Sequence, residues 1–517
     1  MRTFLKPILT SALLLAGGLG AHAFSLLGPF DTEYQTPELN YGRFTMTAEV
    51  GDLGGPMNRG EEYRAGSPVL VYAFDSTFTE FFGDAGVDAV ETAVAELNAL
   101  PLTTAMSPTL SEFRLNTTRF NVLAQQLQLM DVKSLALSLL LQQMGLACPE
   151  RFTWTLHERR PIPNTDPVIF QYYVIQRNFD PVTGLASSYV NNTLYTYRML
   201  RSDDPPWSDA QELSVDVANP NVSVAALAGL QAGFVDPRVR RQVYGPGQSV
   251  IGGFGLYFSG GITRDDAGAI RYLYRPDNVN WQSAPLGATG GGGGGGGGGS
   301  SPWSIVGFEV LNPDSESAWN VVGGGIFGFT NTVDGDTGVI VGNASPDGGR
   351  GGPGKVAFVR ANFDPLLGRV AQNLTVRYPE TIINAQGVAI QTVTQRVLTR
   401  PDILFTTEDL GTYVQADDPP QPYAYAVRNM AYAQVRNPGA GNTGPSAGPG
   451  IIEPGVDLVF NRVGPWYFNI GESAQEDGVR GFMWGSFDGS TNAPVVYPQS
   501  SYPGATTLGQ LESILFP

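Results

Sequence analysis

Histidine and cysteine are almost missing from this chain of 517 residues. The sequence holds two histidines, His22 and His157, and one cysteine, Cys148. Catalytic zinc needs about three protein ligands, usually histidines, so a site built on imidazoles alone is excluded. A lone cysteine cannot form an internal disulfide, and stability must come from the size of the core, which a chain of this length can supply.

Basic residues and long apolar runs are also scarce. There are 31 Lys and Arg residues against 48 Asp and Glu, which gives a formal net charge of -17. Such a surface repels polyanions, so we expect no nucleic-acid partner. Outside the N-terminal segment, no run approaches the roughly 18 apolar residues that a membrane helix requires. We therefore expect no integral membrane segment once the N-terminal segment is removed.

The first 23 residues have the three-part layout of a secretory signal peptide. Arg2 and Lys6 are followed by an apolar run from Ile8 to Leu19 and then by Ala21-His22-Ala23. A short apolar run that ends in small residues is typical of a cleavage site, and a single membrane anchor is the alternative. We expect removal of residues 1–23 and an exported protein that is periplasmic, at the cell surface or extracellular.

The next segments contain a predicted arm, a strand and a helix. Residues 24–66 are rich in Gly and Pro and lack periodicity, which predicts an extended arm. A strand is predicted over Pro68–Asp75, and Gly83-Asp84 follows it as punctuation. An amphipathic helix is then predicted from apolar residues at helical spacing, namely Val87, Val90, Val94 and Leu97.

A leucine-rich helix is predicted at residues 131–148. The segment reads D-V-K-S-L-A-L-S-L-L-L-Q-Q-M-G-L-A-C and is apolar on most sides, which predicts burial of nearly all its faces. Gly145 has no Cβ, so it can form a left-handed turn at the end of the helix.

A further helix is predicted at residues 262–274, which read I-T-R-D-D-A-G-A-I-R-Y-L-Y. Thr263 can cap this helix, and Asp265 and Asp266 lie favourably near its positive end. Helix capping and the helix dipole therefore explain the aspartate pair better than catalysis does.

Three landmarks resemble, in this order, the matrixin branch of the metzincin zinc proteases: the strand with Tyr72-Ala-Phe-Asp75 and its following amphipathic helix, the leucine-rich helix, and the helix at residues 262–274. That family carries H-E-x-x-H-x-x-G-x-x-H on its active-site helix, where histidines bind zinc and the glutamate activates water. Gly145 matches the family glycine, but the ligand and base positions are occupied by Ser138, Leu139, Gln142 and Cys148. The resemblance implies an α+β domain over residues 67–275 with a degenerate metal site, no catalytic residues and no zinc.

Ten consecutive glycines, Gly290 to Gly299, separate two halves of different character. Such a tract behaves as a flexible coil, which predicts a Gly-rich linker at residues 276–302, with a loop insertion as the alternative. Residues 303–517 contain short apolar runs punctuated by Gly, Asn, Asp and Pro, which is typical of an all-β, sandwich-like domain. The expected fold is thus a metzincin-like α+β N-terminal domain followed by an all-β C-terminal domain.

Two segments of the chain repeat one pattern. Residues 177–184 read R-N-F-D-P-V-T-G and residues 361–368 read A-N-F-D-P-L-L-G. A duplicated hairpin is one interpretation of this repeat. The other is that Asp-Pro-x-x-Gly is a common turn, in which the Asp side chain bonds nearby backbone N–H groups.

A calcium site is a candidate in residues 331–338, which read N-T-V-D-G-D-T-G. Asp334 and Asp336 place carboxylates two residues apart in a Gly-rich loop, as calcium sites of exported proteins do. The loop lacks the distal glutamate of an EF-hand, and a hairpin turn at Asp334-Gly335 explains the same residues. Calcium is therefore kept as an alternative to no cofactor.

Two catalytic constellations compete with ordinary structural roles. Cys148 and His157 could form a nucleophile–base pair, although no local signature supports it. Carboxylate pairs at 203–204, 408–409 and 417–418 could hydrolyse glycans, although neighbouring acids in loops are usually solvated. We favour the structural explanation for both.

The sequence therefore predicts an exported protein without catalytic activity that acts by binding or assembly. Its expected partner is an envelope or extracellular protein or a glycan, which the sequence does not identify. The alternatives are a carboxylate-dependent hydrolase directed at glycans and a structural subunit of the envelope.

Overall fold

The computed structural model describes residues 24–28, 55–115, 117–126, 129–147, 153–165, 170–201, 208–214, 257–259, 261–282, 285, 288–290, 309–311, 348–384, 387–408, 425–428, 431–433, 450–461, 483–487 and 491–497. In these ranges the helices are α1 (Ser76–Asn98), α2 (Val122–Gln126), α3 (Val132–Gln143) and α4 (Arg264–Tyr274). The strands, in chain order, are β1 (Phe24–Gly28), β2 (Gly55–Pro56), β3 (Tyr63–Ala65), β4 (Val69–Phe74), β5 (Thr118–Phe120), β6 (Leu129–Asp131), β7 (Leu146–Ala147), β8 (Thr155–Pro161), β9 (Phe170–Ile175), β10 (Asn178–Phe179), β11 (Tyr189–Val190), β12 (Thr193–Arg201), β13 (Ser208–Ser214), β14 (Tyr257–Ser259), β15 (Asn280–Gln282), β16 (Ala288–Gly290), β17 (Glu309–Leu311), β18 (Gly348–Arg350), β19 (Ala357–Arg360), β20 (Phe363–Asp364), β21 (Arg369–Val370), β22 (Leu374–Ile383), β23 (Ala389–Leu398), β24 (Ile403–Glu408), β25 (Tyr425–Arg428), β26 (Ala431–Ala433), β27 (Gly450–Glu453), β28 (Val456–Asn461), β29 (Met483–Ser486) and β30 (Val495–Val496).

A five-stranded sheet lies at the centre, in the order β19-β4-β24-β28-β25. Strand β4 is parallel to both its neighbours, β24 is parallel to β28, and only the edge strand β25 is antiparallel. Every residue of β4, which reads V-L-V-Y-A-F, is buried. A continuous apolar run is what a parallel strand covered on both faces requires, and the predicted strand is confirmed.

Helix α1 follows β4 directly and packs on the sheet and on α3. Its N-cap is Asp75, whose Oδ2 accepts a hydrogen bond from the Thr77 N–H at 3.1 Å. Gly83, with φ of 59°, interrupts the helical geometry within α1. The helix begins at Ser76, before the Gly83-Asp84 pair after which the sequence predicted its start. The predicted apolar face is confirmed, since the buried residues include Val87, Val90, Val94 and Leu97.

Aromatic side chains fill the space between α1 and the sheet. The ring centroid of Phe78 lies 5.2 Å from that of Phe74 and 5.8 Å from that of Phe460. Phe82, one turn further along α1, lies 4.7 Å from Phe78. Tilted and edge-on rings at these distances stabilise the core beyond the area that they bury.

The described part of residues 24–66 is built into the core and does not form an extended arm. Strand β1 pairs antiparallel with β2, β7 and β10. Phe24 and Leu27 are each 2% exposed, and Leu26 is fully buried. The run F-S-L-L is too short to show periodicity, so only its distant partners reveal it as a core strand.

The central sheet crosses the expected boundary between two domains. Four of its strands, β19, β24, β25 and β28, come from the half that follows the Gly-rich tract, and β4 comes from the half before it. Two smaller pairings, β3 with β27 and β6 with β29, cross the same boundary. The structure differs here from a division at residues 276–302, because strands from both sides of that segment are paired in the same sheets.

The Gly-rich tract connects two strands of one sheet. Strand β16 ends at Gly290 and pairs with β23, whereas β17, beyond the tract, pairs with β22. Strands β22 and β23 form a single antiparallel hairpin, from Leu374 paired with Leu398 to Ile383 paired with Ala389. This pairing matches the alternative of a loop insertion and differs from a tether between domains.

The two repeated segments form the same turn. The Asp180 Oδ1 accepts hydrogen bonds from the N–H groups two and three residues on, at 2.9 and 2.6 Å. The Asp364 Oδ1 does the same at 3.0 and 3.1 Å. Gly184 and Gly368 close the turns with φ of 67° and 63°. The shared geometry is that of an Asp-Pro-x-x-Gly turn, which explains the repeat without a duplication.

Candidate functional site

Helix α3 carries Ser138, Leu139 and Gln142, the positions at which the sequence resemblance predicts a degenerate metal site. Its N-cap is Asp131, whose Oδ2 accepts hydrogen bonds from the Ser134 N–H at 2.8 Å and from the Ser134 hydroxyl at 2.5 Å. After its last residue, Gly145 adopts φ of 98° and its N–H bonds the Gln142 carbonyl at 2.9 Å. The predicted left-handed turn is confirmed.

The substituted positions on α3 point into protein, since Ser138, Leu139 and Gln142 are 2%, 1% and 3% exposed. The helix packs against α1, β7, β14 and β29, and Leu139 belongs to the main apolar core. The predicted burial on nearly all faces is therefore confirmed. Cys148, the fourth degenerate position, lies outside the described residues.

Two glutamines on α3 are buried without full hydrogen bonding. Among the residues that the structure describes, the Gln142 Oε1 and the Gln143 Nε2 have no hydrogen-bond partner. A buried amide atom without a partner costs about 1–3 kcal/mol of stability. Such atoms are rare in proteins, so these two mark a place where the helix is not optimised for packing.

Replacing Gln142 with leucine is expected to raise the free energy of unfolding by about 1 kcal/mol, because the substitution removes the unpaired Oε1 and adds apolar contact. Urea denaturation at neutral pH measures the change. The control is Gln391→Leu at an exposed position of β23, which is expected to change stability by less than about 0.5 kcal/mol. A loss of stability in Gln142→Leu would show that the amide makes a bond the fold needs.

Both aspartates of α4 lie in its first turn, and the predicted capping is confirmed for Asp266, whereas Asp265 bonds a neighbouring turn. Thr263 and Asp266 form a capping box, in which the Asp266 Oδ2 accepts from the Thr263 N–H at 2.9 Å. The Asp265 Oδ2 accepts from the Asn191 N–H at 2.6 Å. Asn191 and Asn192 both have positive φ, as the two central residues of a tight hairpin turn do. Asp265 thus holds the β11–β12 turn against α4.

Strand β3 carries a buried arginine that no local pattern predicts. Arg64 is 1% exposed and donates to the carbonyls of Leu273 at 2.7 Å, Asn278 at 2.9 Å and Arg350 at 2.7 Å. Burial lowers the pKa of Arg64 to about 10. These acceptors are protein carbonyls, so Arg64 joins the end of α4 to β18 and has a structural role.

A second buried arginine, Arg396 on β23, is paired with Asp402. The Arg396 Nη1 donates to the Asp402 Oδ2 at 2.9 Å, and Nη2 donates to Oδ1. The same Oδ2 accepts from the Val71 N–H at 2.9 Å. The pair therefore attaches β23 to the central strand β4.

The remaining site candidates fall outside what the structure describes. These are the calcium candidates Asp334 and Asp336, the carboxylate pairs at 203–204 and 417–418, and the side chains of His157 and of the 408–409 pair. Within the described ranges, no three His, Cys, Asp or Glu side chains are grouped closely enough to hold a metal ion. In the same ranges, no helix combines the length and the apolar character needed to span a bilayer.

Comparisons with protein-family models, curated proteins and solved structures return no match for this chain.

Proposed function

We propose that this is an exported protein without catalytic activity that acts by binding or assembly at the cell envelope or outside the cell, on a scaffold related to the metzincin proteases. The observation that carries the proposal is the packing of α3. Three positions that would hold zinc and activate water are occupied by Ser138, Leu139 and Gln142, and each is at most 3% exposed. A catalytic metal needs an open coordination position that water and substrate can reach.

The charge of the chain supports a particular class of partner. A net charge of -17 disfavours polyanions, so the proposed partner is an envelope or extracellular protein or a glycan. The β-rich architecture presents many loops and strand edges, on which binding residues are commonly placed.

Export is tested by N-terminal sequencing of the protein recovered outside the cytoplasm. The expected first residue is Phe24, which begins β1 and is buried in the core. A start at Met1 in the recovered protein would contradict removal of the signal peptide.

The absence of proteolysis is tested by incubating the purified protein with a quenched-fluorescent peptide library, with and without added zinc. The proposal predicts no hydrolysis above a buffer control in either sample. Hydrolysis that requires zinc, stops on chelation and is lost in Gln142→Leu would overturn it.

A further inference from the structure

A buried carboxylate lies where three elements meet. Asp131 is the last residue of β6 and the N-cap of α3, and it stands opposite Gly485 of β29 in a parallel pairing. Its side chain is 2% exposed. The carboxylate accepts hydrogen bonds at Oδ2 from Ser134, and the Phe487 N–H also favours its ionised form, but in the described parts of the chain the Oδ1 has no hydrogen-bond partner.

Strand β29 lies beside this carboxylate and pairs antiparallel with β30, and we call β29 (Met483–Ser486) and β30 (Val495–Val496) the C-terminal hairpin. The Tyr497 N–H bonds the Trp484 carbonyl at 3.0 Å, and the Tyr497 hydroxyl lies 2.7 Å from the Ser486 hydroxyl. The rings of Trp484 and Tyr497 lie 5.9 and 4.9 Å from that of Phe82 on α1. The hairpin therefore keeps water from Asp131 by docking on α1, α3 and β6.

We propose that Asp131 is a proton-binding site that controls docking of the C-terminal hairpin, so that loss of its proton favours opening. Burying an ionised carboxylate with an unpaired oxygen costs free energy. Protonation of Asp131 removes this cost, and so does undocking of the hairpin, which lets water reach the carboxylate.

The charged and hydrogen-bonding groups around Asp131 oppose the rise in its pKa but do not cancel it. Burial raises the pKa of Asp131 to about 6, against the opposing influence of Ser134, the Lys133 ammonium and the Phe487 N–H. Lys133 is itself paired with Glu96 of α1. Residues 483–487, which read M-W-G-S-F, carry no titratable side chain. The phenol of Tyr497, which follows β30, interacts electrostatically with Asp131 and with the exposed Asp88 of α1.

The direction of the pH dependence follows from linkage. The docked state binds the Asp131 proton more tightly than the open state, in which the carboxyl returns to a pKa of about 4. Opening therefore becomes easier as the pH rises through the range between these two values. The opening equilibrium constant is expected to increase roughly tenfold between about pH 5 and pH 7.5.

Amide hydrogen exchange of the whole purified protein, followed by mass spectrometry, tests this proposal. Opening constants for residues 483–487 are compared at pH 5 and pH 7.5 after correction for the intrinsic pH dependence of exchange. The expected result is a roughly tenfold increase in the unchanged protein and no change in Asp131→Asn or Asp131→Ser, which keep a neutral N-cap. Asp88→Asn, which removes the nearby exposed carboxylate, is expected to keep the increase. Equal opening at both pH values in the unchanged protein, or an increase that persists in both Asp131 variants, would overturn the proposal.

Discussion

Asp402→Ala is expected to lower the free energy of unfolding by about 3–5 kcal/mol, the cost of breaking a buried ion pair by removing one partner. The side chains of Arg396 and Asp402 are 1% and 3% exposed, so the substitution would leave the arginine charged, buried and without its carboxylate partner. The Val71 N–H of β4 would lose its acceptor as well. Urea denaturation monitored by far-ultraviolet circular dichroism measures the loss.

An exposed pair provides the matched control for this prediction. Arg400 and Asp457 lie 3.0 Å apart with side chains 50% and 20% exposed, and Asp457→Ala is expected to cost less than about 1 kcal/mol. The double variant Arg396→Met with Asp402→Ala is expected to be more stable than Asp402→Ala alone, because no unpaired charge remains. Additive losses in the double variant would show that the pair is not coupled.

Gly145→Ala is expected to cost roughly 3 kcal/mol, the sum of left-handed strain and a clash in the core. The residue has φ of 98°, and an added Cβ would lie 2.1 Å from the backbone carbonyl oxygen of Tyr63. A backbone atom cannot rotate away as a side chain can, so the end of α3 and β3 must separate. Thermal and urea unfolding both measure the effect.

Gly60→Ala separates the two contributions to that loss. Gly60 has φ of 93°, close to that of Gly145, but an added Cβ would meet nothing within 4 Å. It is therefore expected to cost only the conformational strain, about 1 kcal/mol. If both glycine variants lose the same stability, the close approach of Gly145 to Tyr63 has no energetic importance.

Local patterns in the sequence predicted the buried face of α1, the burial and terminal turn of α3, and the capping of α4, but not the start of α1. The spacing of Val87, Val90 and Leu97 predicted the buried face of α1, and the T-R-D-D pattern predicted the capping of α4. Gly145 was predicted as a left-handed turn from its place after a leucine-rich helix. These features depend on residues within one or two turns of one another, which a reader of the sequence can see directly.

The sheet could not be predicted in the same way. Strand β4 pairs with β19 and β24, whose residues come about 290 and 330 positions later in the chain, as Val69 with Ala357 and Tyr72 with Ile403 show. Short apolar runs do not reveal whether their neighbours are parallel or antiparallel, or which strands they will be. Because the partners of these strands could not be identified, the apolar runs after residue 302 were assigned to a separate β-rich domain.

The buried polar groups were missed for a related reason. Arg64 finds its acceptors 209 and 286 residues away, and the sequence around it gives no reason to expect burial. Arginine is usually exposed, so only the folded contacts distinguish this one from its exposed counterparts.

The most direct measurement is the zinc content of the purified protein, determined by elemental mass spectrometry after equilibration with zinc and dialysis against metal-free buffer. If α3 is a packed core helix, the protein retains well below one zinc ion per chain. One zinc ion per chain that survives dialysis and is lost in Gln142→Leu would contradict the account.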